Sequence, residues 1–329
     1  MNLPSNPSVV LTGASSGIGR ATAIRFARSG ARLVLAGRNP DTLESVAAEC
    51  RAAGADVVVV PTDVSDWSAV KHLAVRAREA FGGIDVWVNN AGISVFAEFL
   101  EMPLEDFRRV IDVDLMGVVH GSRAALKAMQ RQGAGVLINV SSVVGELPQP
   151  FTAPYGMAKA AVRALDVSLR SELALAKQKN IKVATIMPST IDTPFFSHAG
   201  NYTGRAVRAL PPVYSPEQVA KAIVKAASHP RAEVVVGNGG RAFVTMHRMA
   251  PRLADAQMAV QTNLTHLSLK EHAKDTTGIL YEPVPKATAM STGGWDGAGR
   301  QLRRRLVAWG LVAGGVALAG RTVAKGRNR

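Results

Sequence analysis

The chain has 329 residues, 47% of them apolar and 19% charged, which excludes a disordered chain and provides for a large buried core in one or two domains. Its single cysteine, Cys50, excludes an internal disulfide and fits a reducing, cytoplasmic setting, and the polar start Met1–Ser8 has no signal-peptide pattern. The net charge of +14 is concentrated in residues 300–329, which hold eight basic residues and no acids and leave +6 for residues 1–299. Those basic residues flank an apolar run, with no aromatic platform or nucleic-acid module, so a nucleic-acid partner is not expected.

From the N-terminus, short β-branched runs alternate with longer helical stretches. Strands are expected at Val9–Thr12, Arg32–Gly37, Asp56–Pro61, Val86–Asn89, Val136–Ser141, Lys182–Met187 and Glu233–Gly237. Helices are expected between them at Ile18–Ser29, Asp41–Ala53, Ser65–Phe81, Leu104–Gln132, Ala153–Lys179 and Ser215–Ser228. Val57–Val60 lacks polar alternation, as a strand covered on both faces does. Ser215-Pro216-Glu217-Gln218 reads as a capping box with proline in the first turn. The alternation implies an α/β fold: a Rossmann-like, doubly wound, seven-stranded parallel sheet with helices on both faces, its ligands beyond the C-terminal strand ends. Beyond the seventh strand, Arg241–Met249 and Leu253–Gln261 form two further candidate helices, and residues 262–300, mixing polar residues with Pro and Gly, read as an extended linker. The expected organisation is a dinucleotide-binding and catalytic domain over 1–250, an extension and linker over 251–300, and a tail over 301–329.

The first strand runs into Thr12-Gly13-Ala14-Ser15-Ser16-Gly17-Ile18-Gly19. Glycines at this spacing permit a tight turn and let backbone approach a pyrophosphate at a helix N-terminus, although a glycine-rich turn alone carries moderate weight. At the end of the second strand, where an acid would bind the ribose hydroxyls of NAD, stands Ala36-Gly37-Arg38. Arg38 can pair bidentately with a 2′-phosphate, or else lie in solvent; the charge favours NADP(H) over NAD(H). Arg20 is a second phosphate contact or a surface residue.

The glycine loop, Asn89-Asn90-Ala91-Gly92, Ser142 and Tyr155-Gly156-Met157-Ala158-Lys159, in this order, resemble the short-chain dehydrogenase/reductase family over about residues 7–240. The resemblance implies hydride transfer between a nicotinamide and a carbonyl or alcohol carbon, with Tyr155 as general acid/base, Lys159 beside it and Ser142 on the substrate oxygen. Tyr155 and Lys159, four apart, share one helix face, and an ammonium nearby lowers a phenol pKa from about 10. Ser141 competes with Ser142, which the family spacing favours. The same resemblance assigns cofactor contacts to Gly13, Ser15, Ser16, Gly17, Ile18, Gly19, Asp63, Val64, Asn90, Ala91, Gly92, Tyr155, Lys159, Pro188, Ile191 and Thr193. Asp63 could instead cap a helix and Asn90 satisfy a turn. Two positions depart from the family: Asp114 replaces the usual asparagine in the proton relay, and Ser189 the glycine after Pro188. No cluster has metal-ligand spacing.

The segment Asp192–Tyr214, with Phe195, Phe196, His198, Tyr202 and Tyr214, falls where the family places a substrate-covering loop and suggests an apolar lid. Together with Phe96, Val143, Val144 and Leu147 it favours a lipophilic substrate. The family also implies a homodimer or homotetramer. In the tail, Leu306–Gly320 is fifteen uncharged residues between arginines, about 22 Å as a helix against a bilayer core of about 30 Å. It reads as an anchor on an anionic membrane surface, as a helix docked on a partner subunit, or as a frayed end. The competing class is a non-catalytic NADP-binding scaffold or sensor recruited to a membrane by this tail.

Overall fold

The structure is a computed structural model and describes residues 4–295. Seven parallel strands form one sheet in the order β3-β2-β1-β4-β6-β7-β10: β1 Ser8–Thr12, β2 Arg32–Gly37, β3 Val57–Pro61, β4 Val86–Asn89, β6 Gly135–Val140, β7 Ile181–Pro188 and β10 Glu233–Val236. All lie within two residues of their expected bounds. The β1/β4 boundary reverses the strand order, and such a switch point opens a crevice at the C-terminal strand ends. Strand alternation divides the core. Val9 and Leu11 face one layer, with Phe26 of α1 (Gly17–Ala27), Leu43 of α2 (Pro40–Ala52) and Ile223 of α8 (Pro216–Ser228). Val10 and Trp87 face the other, with Leu73 of α3 (Trp67–Phe81), Val110 of α4 (Leu104–Ile111), Met129 of α5 (Gly117–Gln132) and Leu173 of α6 (Ala153–Leu175).

The helix expected unbroken over Leu104–Gln132 is interrupted. A π-helical turn, Asp112–Met116, joins α4 to α5, and the extra residue per turn directs Asp114 inward, fully buried. The helix expected from Ser65 begins at Trp67 and is capped by Asp66, which accepts from the Ser68 amide at 2.8 Å. Ser215 does precede α8, but its side chain makes no capping hydrogen bond.

Small paired segments cover the carboxyl end of the sheet: β5 Val95–Phe96 with β8 Gly200–Asn201, and β9 Arg205–Val207 with β11 Leu267–His272. α7 (Phe195–His198), α9 (Asn238–Met249) and α10 (Pro251–Gln261) complete the cover. Residues 262–295 are not an extended linker. β11 pairs antiparallel with β9, Tyr281 donates to Asp106 at 2.7 Å, and the backbone beyond it lies against the glycine loop. The tail expected over 301–329 is outside the described residues. Among the described residues, no helix is long and apolar enough to cross a membrane.

A chain of buried polar side chains crosses three adjacent strands. Trp87 Nε1 donates to Asn89 (2.7 Å), Asn89 to Asn139 (2.8 Å), and Asn139 and Thr185 to the Asp166 carboxyl (2.5 and 2.6 Å). Burial outweighs these donors and raises Asp166 from 3.8 to about 6. A carboxyl raised on folding gives stability that is complete below its unfolded pKa and lost as pH climbs through its folded one. The chain should therefore lose roughly 2–3 kcal/mol of unfolding free energy between pH 4 and 6.5 relative to Asp166→Asn. Denaturant titrations of both proteins across that window test this; parallel pH slopes would refute it.

Candidate active site

The turn after β1 is built around glycines that cannot be replaced without movement. Gly13 has φ of +64°, and a methyl there would lie 2.7 Å from the Ala91 Cα; one on Gly19 would strike the Gly13 carbonyl. Gly17, with φ of +52°, faces Thr193 across a neck that a methyl would narrow to 3.2 Å. Thr12 Oγ1 accepts from the Asn90 and Ala91 amides at 3.0 and 3.2 Å, while Asn90 Nδ2 donates to the Thr12 and Gly13 carbonyls, both at 3.1 Å. Asn90 thus braces the turn. The first amides of α1 point out of the turn, and Ser16 makes no side-chain cap with them.

Ser142, at the end of β6, and Tyr155 and Lys159, on the first turns of α6, meet in one cleft. Ser142 faces the Tyr155 hydroxyl, its own hydroxyl donating to the Pro188 carbonyl at 3.4 Å, and the Lys159 ammonium lies 5.3 Å from the Tyr155 ring centre. Ser141 is turned away, donating to the Lys159 carbonyl at 2.7 Å. Behind the lysine, Asp114 Oδ2 is 3.0 Å from Nζ and Oδ1 accepts from the Ile93 amide at 2.8 Å. Burial pushes Asp114 up, against the pull of Lys159 and the Ile93 amide. Burial alone would lower Lys159, but Asp114 and Tyr155 outweigh it and hold the ammonium above its usual range. Tyr155 departs from expectation: burial, helped by Asp114, raises the phenol, and Lys159 and Ser142 offset this only in part.

The cleft is lined by every expected cofactor and catalytic residue except Gly19, packed beneath the turn, and Asp114, hidden behind Lys159. Asp63 and Val64 lie on its far wall. Burial would raise Asp63, but Arg109 (2.7 Å) and Ser65 donate to its carboxyl and hold it below the usual range. Ser189 is tolerated because its hydroxyl donates to the Val236 carbonyl at 2.8 Å.

Around Tyr155, Phe195 packs 5.4 Å from its ring and 5.5 Å from Phe196, and Phe96, Val143, Val144, Leu147 and His198 also line the cleft. Tyr202 and Tyr214 do not: Tyr202 donates to Asp106 at 2.5 Å and Tyr214 accepts from the Gly239 amide at 2.7 Å. Leu210, Phe243, Met258 and His266 line the same cavity without having been expected there. His266 is buried and lowered to about 4 by that burial, so it is neutral, and it sits edge-on to Phe96 and Phe196. Arg241–Met249 was expected as a helix, but the cleft that its Phe243 enters was not.

Arg38 reaches the cleft rim, yet its terminal nitrogens donate to four backbone carbonyls: Leu280 (3.2 Å), Tyr281 (3.0 Å), Ile279 (2.7 Å) and Glu282 (2.9 Å). It is neither in solvent nor open for a bidentate phosphate pair. Arg20 pairs with Glu49 and the Ala289 carbonyl.

The residues fit the nicotinamide dinucleotide that the resemblance implies: a glycine turn with no room for methyl groups, helix amides without a side-chain cap, and a cleft running from there to Tyr155. Comparison with known proteins agrees. The family model described as short chain dehydrogenase matches residues 7–203. The uncharacterized oxidoreductase YxnA of Bacillus subtilis is 33% identical over 320 residues, 94% of this chain and 89% of its own. The probable oxidoreductase EphD of Mycobacterium bovis is 38% identical over 236 residues, 66% of this chain and 39% of that much longer one. Among solved structures, a short chain dehydrogenase/reductase from Burkholderia phymatum in complex with NAD has a TM-score of 0.70 at 30% identity, covering 77% of this chain and 96% of its own. An alcohol dehydrogenase from the archaeon Thermococcus sibiricus, complexed with 5-hydroxy-NADP, has a TM-score of 0.61 at 29% identity, covering 70% and 95%.

Removing Asp114 leaves a buried ammonium without its counter-charge. Asp114→Ala should cost about 3–5 kcal/mol of unfolding free energy. Asp114→Asn, which keeps an acceptor for the Ile93 amide, should lose less. Urea unfolding measures both; a loss within about 1 kcal/mol for the alanine variant would show that the pair carries little stability.

Proposed function

Since this chain belongs to the short-chain dehydrogenase/reductase family of oxidoreductases, we propose that it exchanges a hydride between NADP(H) and the carbonyl or alcohol carbon of a lipophilic substrate, with Tyr155 as general acid/base. The observation that carries this reading is that Ser142, Tyr155 and Lys159 converge on one cleft walled by Phe195, Phe196 and Leu147.

When bound, the nicotinamide supplies or takes the hydride. The Tyr155 hydroxyl gives its proton to the oxygen of a reduced carbonyl, and Ser142 orients that oxygen. The Lys159 ammonium, held charged by Asp114, stabilises the phenolate left behind. Because burial raises Tyr155, the phenol is protonated at neutral pH and is set up as an acid, the role that carbonyl reduction requires. The cofactor preference rests on Arg38 and on the absence of an acid at the end of β2. Similar folds have been solved with NAD and with 5-hydroxy-NADP, so the fold alone does not select. A lipophilic substrate matches the aromatic walls, with neutral His266 among them. The scaffold alternative would be favoured by a dispersed catalytic cluster, and here the cluster is intact. A homo-oligomer and attachment of residues 301–329 to a membrane complete the proposal; fractionating cells that express the full chain or a chain ending at Gly299 checks the attachment.

Tyr155→Phe should abolish turnover, by about 10²-fold or more, across a panel of lipophilic ketones followed by NADPH absorbance, with NADPH affinity retained. Retained turnover would remove Tyr155 from the chemistry. In the wild-type protein, kcat/KM for reduction should stay level from pH 6 to about 9 and fall only above that, while alcohol oxidation, which needs the phenolate, should rise with pH. A reduction rate that already falls through neutral pH would contradict a raised Tyr155.

A further inference from the structure

Residues 279–295 touch each part of the dinucleotide cleft. At one end, four carbonyls from Ile279 to Glu282 take all the terminal N–H groups of Arg38. The Leu280 carbonyl also accepts from Arg109, whose other end holds Asp63. Next along the rim, the Val284 carbonyl accepts from Asn39 at 3.3 Å. At the other end, the Met290 carbonyl accepts from the Gly17 amide at 2.8 Å, at the first residue of α1. Beyond it, the Gly293 and Trp295 amides donate to Asp192, and the Trp295 indole to the Thr193 carbonyl. Ile279, Pro283 and Val284 are part of the cleft wall.

These contacts fall on groups suited to an anion. A guanidinium forms a fork for a phosphate, and an amide at a helix N-terminus is a phosphate donor. Here each is met by carbonyl oxygen, the neutral substitute for a phosphate oxygen. A bidentate pair between Arg38 and a 2′-phosphate needs two adjacent N–H groups. Only Nε–H is outside the carbonyl set, so at least one carbonyl must let go. The partially negative carbonyl oxygens around the guanidinium also oppose the approach of a phosphate. A dinucleotide with a free 2′-hydroxyl makes no such demand on Arg38.

We propose that residues 279–290 form a cofactor-discriminating strap, which competes with the dinucleotide for Gly17 and, when the ribose carries a 2′-phosphate, for Arg38 as well. The inference rests on the reading of the cleft as a nicotinamide dinucleotide site. Any dinucleotide displaces the Met290 carbonyl; only a 2′-phosphorylated one also releases the carbonyls from Ile279 to Glu282. The apparent affinity for NADPH is then the intrinsic affinity reduced by the fraction of molecules with the strap open. Cofactor choice lies in the balance between Arg38, which attracts the phosphate, and a segment far along the chain that occupies it.

The test is hydrogen–deuterium exchange of the full chain, alone and saturated with NADPH or NADH, after affinities have been measured by calorimetry. Faster exchange over residues 277–284 with NADPH and unchanged exchange with NADH is expected. Slower exchange there with NADPH, or equal effects of the two nucleotides, overturns the strap and leaves the dinucleotide site standing. Absence of binding by either nucleotide overturns both. A second arm uses Gly293→Ala, whose added methyl would run into the Thr193 carbonyl and unseat the far end of the strap. It should bind both nucleotides about 3-fold or more tighter if strap and nucleotide compete. Unchanged or weaker binding by the folded variant counts against competition, and the wild-type exchange comparison stands even if this variant does not fold.

Discussion

A single buried charge organises the side of the cleft that holds Tyr155. Lys159 is almost wholly inaccessible, and an ammonium withdrawn from water costs several kcal/mol unless another charge and well-placed acceptors meet it. Asp114 supplies the charge and the Val140 carbonyl an acceptor. The aspartate reaches that position because a π-turn interrupts the helix between α4 and α5, and it is held there by the Ile93 amide just beyond β4. Three separated stretches of chain are therefore tied to one ammonium, and Tyr155, a helical turn before Lys159, is aimed into the cleft as a result.

Much of the framework was legible in the residues. Runs such as Arg32–Gly37 and Val86–Asn89 are strands at the expected bounds, short apolar runs buried in the middle of the sheet. Tyr155, Lys159 and Ser142 were legible as a set, since helical spacing and the end of a strand bring them together. Three features were hidden. The π-turn leaves no mark in hydrophobic periodicity, which reads Leu104–Gln132 as one helix. The direction of the Tyr155 shift depends on burial, a property of the assembled walls and not of the neighbouring lysine alone. The partners of Arg38 are backbone carbonyls, which every residue possesses, so no side-chain pattern could announce them. The Pro- and Gly-rich composition of residues 262–295 argues against long regular elements but does not argue against contact.

The C-terminal part of the described chain serves both ends of the cleft. Its carbonyls meet Arg38 and Gly17, while Met258 and His266 line the cleft beside Phe96 and Phe243. The matched family region ends at residue 203, and the similarity to the Bacillus subtilis oxidoreductase continues well past it. The matched region thus holds Ser142, Tyr155 and Lys159, and later residues complete the wall of the same cleft.

The polar chain from Trp87 to Thr185 has a bearing on how the protein is made. Asn89, Asn139 and Asp166 satisfy one another across β4, β6 and α6, beside Thr185 of β7. Until the last of these has left the ribosome, amides and a carboxyl destined for the interior lack their partners, and a half-built sheet that buried them would be penalised. A core closed early around β1 to β4 would leave Asn89 without Asn139, and the polar chain is complete only once Thr185 of β7 has been made.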